Sequence, residues 1–149
     1  MFGLFKRDPG ERRYLFSFVP DETEQDILRY VSKKSPLYSM DQDELVALGK
    51  VDYYIYQYEP TSLSAVLVRN SDGSVDVVCG NTPVGRVPKR KIKHALFATD
   101  GDYEATVELS GGPYKVIYVD EDEPRNSLDR YWDRRYDEDI KIKVKIAYD

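Results

Sequence analysis

The sequence predicts an α+β fold: a small, curved antiparallel sheet or partly open barrel with about three helices packed at its end. Three observations carry that expectation. Thirteen tyrosines and five phenylalanines put much of the apolar content into aromatics, and aromatics favour half-buried strands. Turn-forming runs at residues 70–73 (Asn-Ser-Asp-Gly) and 110–113 (Ser-Gly-Gly-Pro) join strand-like runs at short range. Residues 140–148 alternate without fault, with Ile140, Ile142, Val144, Ile146 and Tyr148 on one face and Lys141, Lys143 and Lys145 on the other.

Each element can be justified in turn. Residues 12–19, Arg-Arg-Tyr-Leu-Phe-Ser-Phe-Val, read as a strand ended by Pro20. Asp21 is an N-cap with Glu24 at capping-box distance, and Ile27, Leu28 and Val31 follow at helical spacing towards Lys34. Asp41 caps a second short helix whose Leu45, Val46 and Leu48 are expected inside, and Gly49 stops it. From Val51 the period becomes two, setting Tyr54, Tyr56 and Tyr58 on one strand face. Residues 63–69 and 75–79 form a hairpin about the turn at 70–73, and the Gly-Asn-Thr-Pro turn leads into a strand at 84–87. Pro88 opens a basic helix to Phe97 with Ile92, Ala95 and Leu96 as its buried stripe. Residues 103–109 and 114–119 are expected to form a second hairpin about Ser-Gly-Gly-Pro. Residues 120–139, dense in charge of both signs, read as a long loop or a short helix around 128–134. The lysines of the last strand suit a guarded sheet edge.

Composition bounds the function classes. At 149 residues a single domain with a real core is expected. No run of about eighteen apolar residues is present, so no membrane span is expected. Residues 1–11 read as a flexible end, and residues 1–7 are too short for a signal-peptide core. The lone Cys79 allows no internal disulfide and points to a reducing, cytoplasmic setting. A net charge of −5 argues against bulk, non-specific nucleic-acid binding but leaves room for a local basic site.

Enzyme signatures are missing from the sequence: no phosphate-binding Gly-x-x-x-x-Gly-Lys loop, no Gly-x-Ser-x-Gly elbow, no His-Glu-x-x-His. His94 has neither an orienting carboxylate nor a nucleophile beside it in sequence, and reads as a surface or half-buried helix residue. The acidic runs at 120–123 and 137–139 lack calcium-loop spacing and read as solvated charge. No catalysis, metal or cofactor is therefore expected. Binding residues stand out more. Arg86, Lys89, Arg90, Lys91 and Lys93 crowd into eight positions of an acidic chain, and on a helix Lys89 and Lys93 share a face from which Arg90 is offset. Arg12 and Arg13 beside Tyr14 make a second basic-aromatic spot. Cations near rings suit single-stranded nucleic acid; they equally suit a solvated helix face with core tyrosines.

Val84-Gly85-Arg86-Val87-Pro88-Lys89, with a hairpin before it and a helix behind, resembles the core of the HIRAN domain. That family carries a strand ending in a hydrophobic-Gly-x-hydrophobic-Pro/Lys turn into a helix. Arg12-Arg13-Tyr14 is similar to the family's basic-aromatic opening, and residues 56–68 stand where its central strands lie. One segment departs. Where the family carries Asn-Pro-x-Asp-x-Asn-Ala and a hydrophobic residue, this chain has Asn-Ser-Asp-Gly-Ser-Val at 70–75; Asn70 and Asp72 match across a deletion, and the Pro and Asn-Ala have no counterpart. The resemblance implies an OB-like barrel without catalysis that binds the 3′ end of single-stranded DNA. It implies Arg13 and Tyr14 for backbone contact and base stacking, Asp72 for the terminal sugar hydroxyl and Lys89 for phosphate, with Arg86 joining from the basic patch. A second reading is a protein-interaction module that docks a partner through residues 125–136, where Arg125, Tyr131, Trp132 and Tyr136 cluster. If Trp132 and Tyr136 lie exposed in one apolar patch, the second reading gains.

Overall fold

The computed structural model describes residues 12–149, so the flexible end expected at residues 1–11 lies outside the described residues. In chain order the elements are β1 (Arg12–Phe18), α1 (Glu22–Val31), α2 (Gln42–Ala47), β2 (Ile55–Tyr56), β3 (Thr61–Arg69), β4 (Val75–Cys79), β5 (Thr82–Arg86), α3 (Lys89–Ala98), β6 (Tyr103–Gly111), β7 (Tyr114–Val119), β8 (Tyr131–Tyr136) and β9 (Ile140–Tyr148). Short 3-10 turns occupy Pro36–Ser39 and Leu128–Arg130. Every strand pair is antiparallel, and the class is the α+β one that the sequence predicts. No helix among the described residues is long and apolar enough to cross a membrane.

Two sheets form: six strands in the order β1-β9-β6-β3-β4-β5, and three in the order β2-β7-β8. β9 lies inside the larger sheet, with Ile140, Ile142, Val144, Ile146 and Tyr148 buried and Lys141, Lys143 and Lys145 exposed. The alternation was legible; the edge position was not, because β1 and β6 flank β9 on both sides. Its lysines serve the solvent face instead, where Lys143 stands opposite Glu108. β3 pairs with β6 through Ala65 and then with β4 from Val66, and the Leu67 N–H donates to the Tyr103 hydroxyl (3.3 Å) where the strands part. This change of partner lets the sheet curl.

The curl brings its two edges together. A Cβ on Gly85 of β5 would stand 2.9 Å from Ile142 Cδ1 and 3.1 Å from the Phe18 ring of β1. β1 and β5 do not pair, so the sheet stays an open, curved one and is not closed into a barrel. The concave core gathers Phe16, Val75, Val77, Val84, Val107 and the β9 face, with Leu28 from α1 and Ala95 and Ala98 from α3. α1 starts with the expected Asp21–Glu24 capping box. It ends at Val31, earlier than the lysines at 33 and 34, because the Ser32 backbone is extended. Its Gln25, 2% exposed, pairs with the end of β9 as another strand would: Nε2 donates to the carbonyls of Ile140 (2.8 Å) and Pro20 (3.3 Å), and the Ile140 N–H donates to Oε1 (2.9 Å).

Several expectations are corrected. Residues 110–113 are not a hairpin turn, since β6 and β7 never pair. Gly111 (φ 81°) and Gly112 (φ 90°) carry the chain from one sheet into the other, and β9 takes the place beside β6. Within residues 120–139, neither a long loop nor a helix over 128–134 forms: a 3-10 turn leads into β8, which pairs with β7 through Tyr118 opposite Trp132 and Tyr114 opposite Tyr136. Of the period-two run after Val51, only Ile55–Tyr56 forms a strand, β2. Tyr58 bridges to Lys34 and enters the main core, parting from Tyr54 and Tyr56. Leu48 is exposed and Val46 half-buried, leaving Leu45 as the inward residue of α2. On α3, Ala95 and Ala98 are buried while Ile92 and Leu96 are half-buried, so the helix turns its leucine towards a groove.

Two stability outcomes follow. Gln25→Leu leaves the Ile140 N–H and carbonyl without partners, and chemical denaturation should show a loss of about 2 to 5 kcal/mol; a change within about 0.5 kcal/mol would show that the amide does not hold β9. Gly85→Ala should cost about 1 to 3 kcal/mol by overpacking. Adding Ile142→Val removes the Cδ1 that the new methyl meets, so the double variant should lose less than the sum of the single losses.

Candidate nucleic-acid interface

The turn between β3 and β4 is braced by its own polar side chains. Asp72 Oδ1 accepts from the Ser74 N–H (2.9 Å) and hydroxyl (2.6 Å). Asn70 Nδ2 donates to Ser74 Oγ (3.0 Å) and Asp76 Oδ2 (3.1 Å), and Arg86 Nε donates to Asp76 Oδ1 (3.4 Å). Hydrogen bonds from Ser74 stabilise the Asp72 carboxylate and hold its pKa below the ordinary value. This network fixes one wall of a groove of about 730 Å³. Val87, Ile92 and Leu96 give it an apolar lining, and Asp72, Arg86, Lys89 and Lys93 give it charge.

α3 forms the other wall. α1 and α2 each begin with an Asp cap and acidic first-turn residues. α3 instead begins at Pro88 with no side-chain cap and no acid in its first turn, where Lys89, Arg90 and Lys91 stand. Cations at that end oppose the helix dipole. The arrangement is favourable once an anion sits there.

The structure brings Asp72, Arg86 and Lys89 together and sets Arg13 and Tyr14 apart. Arg13 and Tyr14 also point to opposite faces of β1, because neighbouring strand residues alternate. Arg13 lies exposed on the outer sheet face. Tyr14 faces α3 and stacks flat on His94, with ring centroids 3.8 Å apart and planes within 3°. Burial pushes the Tyr14 hydroxyl pKa up, and Arg90 opposes that shift. One ring face of Tyr14 is therefore taken, and the Tyr14–His94 pair lies on the flank of α3 away from the groove, as the offset of Arg90 from Lys89 and Lys93 requires. Between the flanks stands Phe97, 62% exposed and edge-on to both His94 and Tyr148. Sequence reading passed over Phe97. The signal was there: Arg90, Lys93, His94 and Phe97 recur at three- and four-residue steps and form one outer stripe.

A second surface belongs to the smaller sheet. Tyr54, Tyr114 and Tyr136 stack in sequence at 4.9 and 4.8 Å, and Tyr118 stacks on Trp132 at 5.6 Å. The Tyr118 and Tyr136 hydroxyls share a hydrogen bond of 2.8 Å, which raises the Tyr118 pKa. The Arg134 guanidinium lies 5.3 Å from the Tyr136 ring centre. Trp132 is 47% exposed and lies on the same face of β8 as Tyr136. The opposite face packs Ile55 and Ile117 on Leu45. It also buries Lys115, whose Nζ donates to the Met40 carbonyl (2.7 Å) and lies 5.4 Å from the centre of the Tyr38 ring. Among the described residues, no group of three or more His, Cys, Asp or Glu side chains is arranged to hold a metal ion.

Comparison with known proteins finds no family model that matches the chain, no curated protein that matches it and no solved structure that matches it.

Lys115 yields a pH outcome. Burial, seconded by Arg135, lowers its pKa from the ordinary 10.5. Below the lowered value the folded protein must carry a buried charge, and that penalty is relieved as pH climbs from there towards 10.5. Wild-type stability should therefore rise relative to Lys115→Met as pH climbs from neutrality towards 10.5, the tyrosine contributions being common to both proteins. Urea unfolding of both proteins across that range measures it. Parallel pH profiles would show that Lys115 is not strained.

Proposed function

We propose that this protein is a non-catalytic binding module that takes single-stranded nucleic acid across α3, with a chain end in the groove beside it. What carries the reading is that Asp72, Arg86 and Lys89, singled out separately in the sequence, line one groove together with Lys93. Phosphates have three cations to meet there, and the apolar lining suits the face of a sugar or base. Beyond the groove, Phe97 offers an exposed ring on the crest of α3, and the Tyr14–His94 pair, with Arg90 near, extends it. Arg13 lies outside this path and has no part in the proposal. Asp72, whose Oδ1 already accepts from Ser74, would accept from a terminal 3′ hydroxyl through its other oxygen, the role that the HIRAN resemblance implies for it. The half-buried, unpaired Cys79 suits a reducing compartment, so we place the module in the cytoplasm.

Fluorescence anisotropy with labelled oligonucleotides tests this reading. Binding should be weak, and its logarithm should fall with the logarithm of salt by about 0.7 for each phosphate neutralised. Replacing both Lys89 and Lys93 by Ala should lower that slope by roughly 1.4, and Phe97→Ala should cost about 1 to 3 kcal/mol if a base stacks there. A 3′-phosphate should bind less well than a free 3′ hydroxyl because it meets the Asp72 charge. Equal binding to both ends removes the end-reading role of Asp72, and no binding at roughly 100 micromolar protein in low salt removes the nucleic-acid reading altogether.

The reading as a protein-interaction module keeps its own support. Trp132 and Tyr136 share the face of β8 that carries the aromatic layer, and Trp132 is open to solvent. Aromatic and arginine side chains on such a face are the residues that dominate protein interfaces.

A further inference from the structure

β8 is the outer strand of the smaller sheet, and its free side has a definite chemistry. Hydrogen-bonded pairs alternate along an antiparallel ladder. The Asp120 N–H donates to the Arg130 carbonyl (2.7 Å), so residues 132, 134 and 136 turn their backbone polar groups towards β7. Tyr131, Asp133 and Arg135 turn theirs outward. The Tyr131 carbonyl is met by Gln42 Nε2 (3.1 Å), as that parity requires. No described hydrogen bond reaches the outward N–H and carbonyl of Asp133 and Arg135. An open edge of this kind is a template for another strand.

We infer that this edge pairs with the same edge of a second copy of the chain, antiparallel about a two-fold axis at Arg134. The register is selected by parity and then by charge. Only registers that set outward residues opposite outward residues can form the ladder. Centred on Asp133, the pairing sets Asp133 against itself; centred on Arg135, it sets Arg135 against itself. Centred on Arg134, it sets Asp133 opposite Arg135 twice, on one sheet face. On the other face it sets Trp132 opposite Tyr136 twice, which carries the aromatic layer across both copies. Opposite charges and aromatic pairs directly across from each other stabilise a ladder, and like charges do the reverse. The two Arg134 side chains also meet at the axis; that single like-charge contact opposes the two Asp133–Arg135 pairs, and each guanidinium lies over its own Tyr136 ring. The pairing is self-complementary, as a two-fold interface must be. It is also short, because Gln42 closes the Tyr131 end, so the dimer is a weak one.

The inference rests on the reading of residues 125–136 as a docking surface and gives that surface its occupant; it is independent of the groove. Sedimentation velocity from about 10 micromolar to about 1 millimolar protein tests it, a range that brackets weak association. The wild type should pass from monomer towards dimer. Asp133→Arg and Arg135→Asp should each weaken the association by about tenfold or more, since each sets like charges opposite. The double variant D133R/R135D restores both pairs and should return association to within about threefold of wild type. Hydrogen exchange on the wild type reads the same edge without substitution: the Asp133 and Arg135 amides should gain protection as concentration rises. A chain that stays monomeric throughout, single variants that dimerise like wild type, a folded double variant that fails to restore the dimer, or amides indifferent to concentration would each overturn the inference. Docking of another protein through this face, with no self-association, is the outcome that keeps the surface and discards the second copy.

Discussion

The fold depends on one strand's apolar face. Ile140, Ile142, Val144, Ile146 and Tyr148 are buried in the concave core, and strands pair with β9 on both sides. Burying an aliphatic side chain contributes about 1.5 to 3 kcal/mol, so this face outweighs any single polar contact in the molecule. It also fixes the register. A slip of one residue would turn Lys141, Lys143 and Lys145 into the core, at the cost of burying unpaired charge. The β9 end needs its own device, because Ile140 lies where the chain has just left the smaller sheet. Gln25 supplies it: one side-chain amide satisfies both backbone groups of Ile140, and so ties α1 to the sheet.

With β9 inside the sheet, β7 is displaced from its sequence neighbour and must find partners elsewhere. The paired glycines at 111 and 112 make the exit possible, since both adopt positive φ that side chains resist. At Gly112 the space is also short: an added Cβ would stand 3.0 Å from Ile140 Cγ1. The smaller sheet thus owes its existence to competition for the place beside β6. Its burial is modest on one face, where Leu45, Ile55 and Ile117 pack, and aromatic on the other. The sheet keeps one edge open at β8, and the proposed docking surface would follow from the same displacement.

What was legible in the sequence is what local pattern alone decides. The alternation of β9, the capping box at Asp21 and the turn at 70–73 depend on neighbours a few residues apart, and the structure has each of them. What was not legible depended on competition between distant segments. Ser-Gly-Gly-Pro marks a change of direction, but nothing local says whether the flanking strands then pair or part. β8 was hidden for a different reason: Tyr-Trp-Asp-Arg-Arg-Tyr has no apolar-polar alternation, because each face mixes rings and charge, with Trp132, Arg134 and Tyr136 on one and Tyr131, Asp133 and Arg135 on the other. At the site, the cations of residues 86–93 were legible as a cluster, and the offset of Arg90 from Lys89 and Lys93 foretold the two flanks of α3. The alternation of β1, which parts Arg13 from Tyr14, was legible too; a motif read as a unit concealed it.

The start of α3 is where local rules and the fold disagree most. A chain with net charge −5 has acids to spare, and it spends them at the first turns of α1 and α2. At α3 it places Lys89, Arg90 and Lys91 against the positive end of the dipole, each opposing it by about 0.3 to 1 kcal/mol at most where exposed. Local consistency is the rule in folded proteins, and breaches of it concentrate where function is served. Here the breach lies beside a groove whose other wall is held by the Asp72–Ser74–Asn70–Asp76–Arg86 network. A phosphate in that groove would bring a countercharge to Lys89, at the first turn of α3, and so ease the conflict. On the proposed reading, the net acidity of the chain would sharpen selectivity, since a polyanion would be repelled by the bulk of the surface and held where the local field reverses.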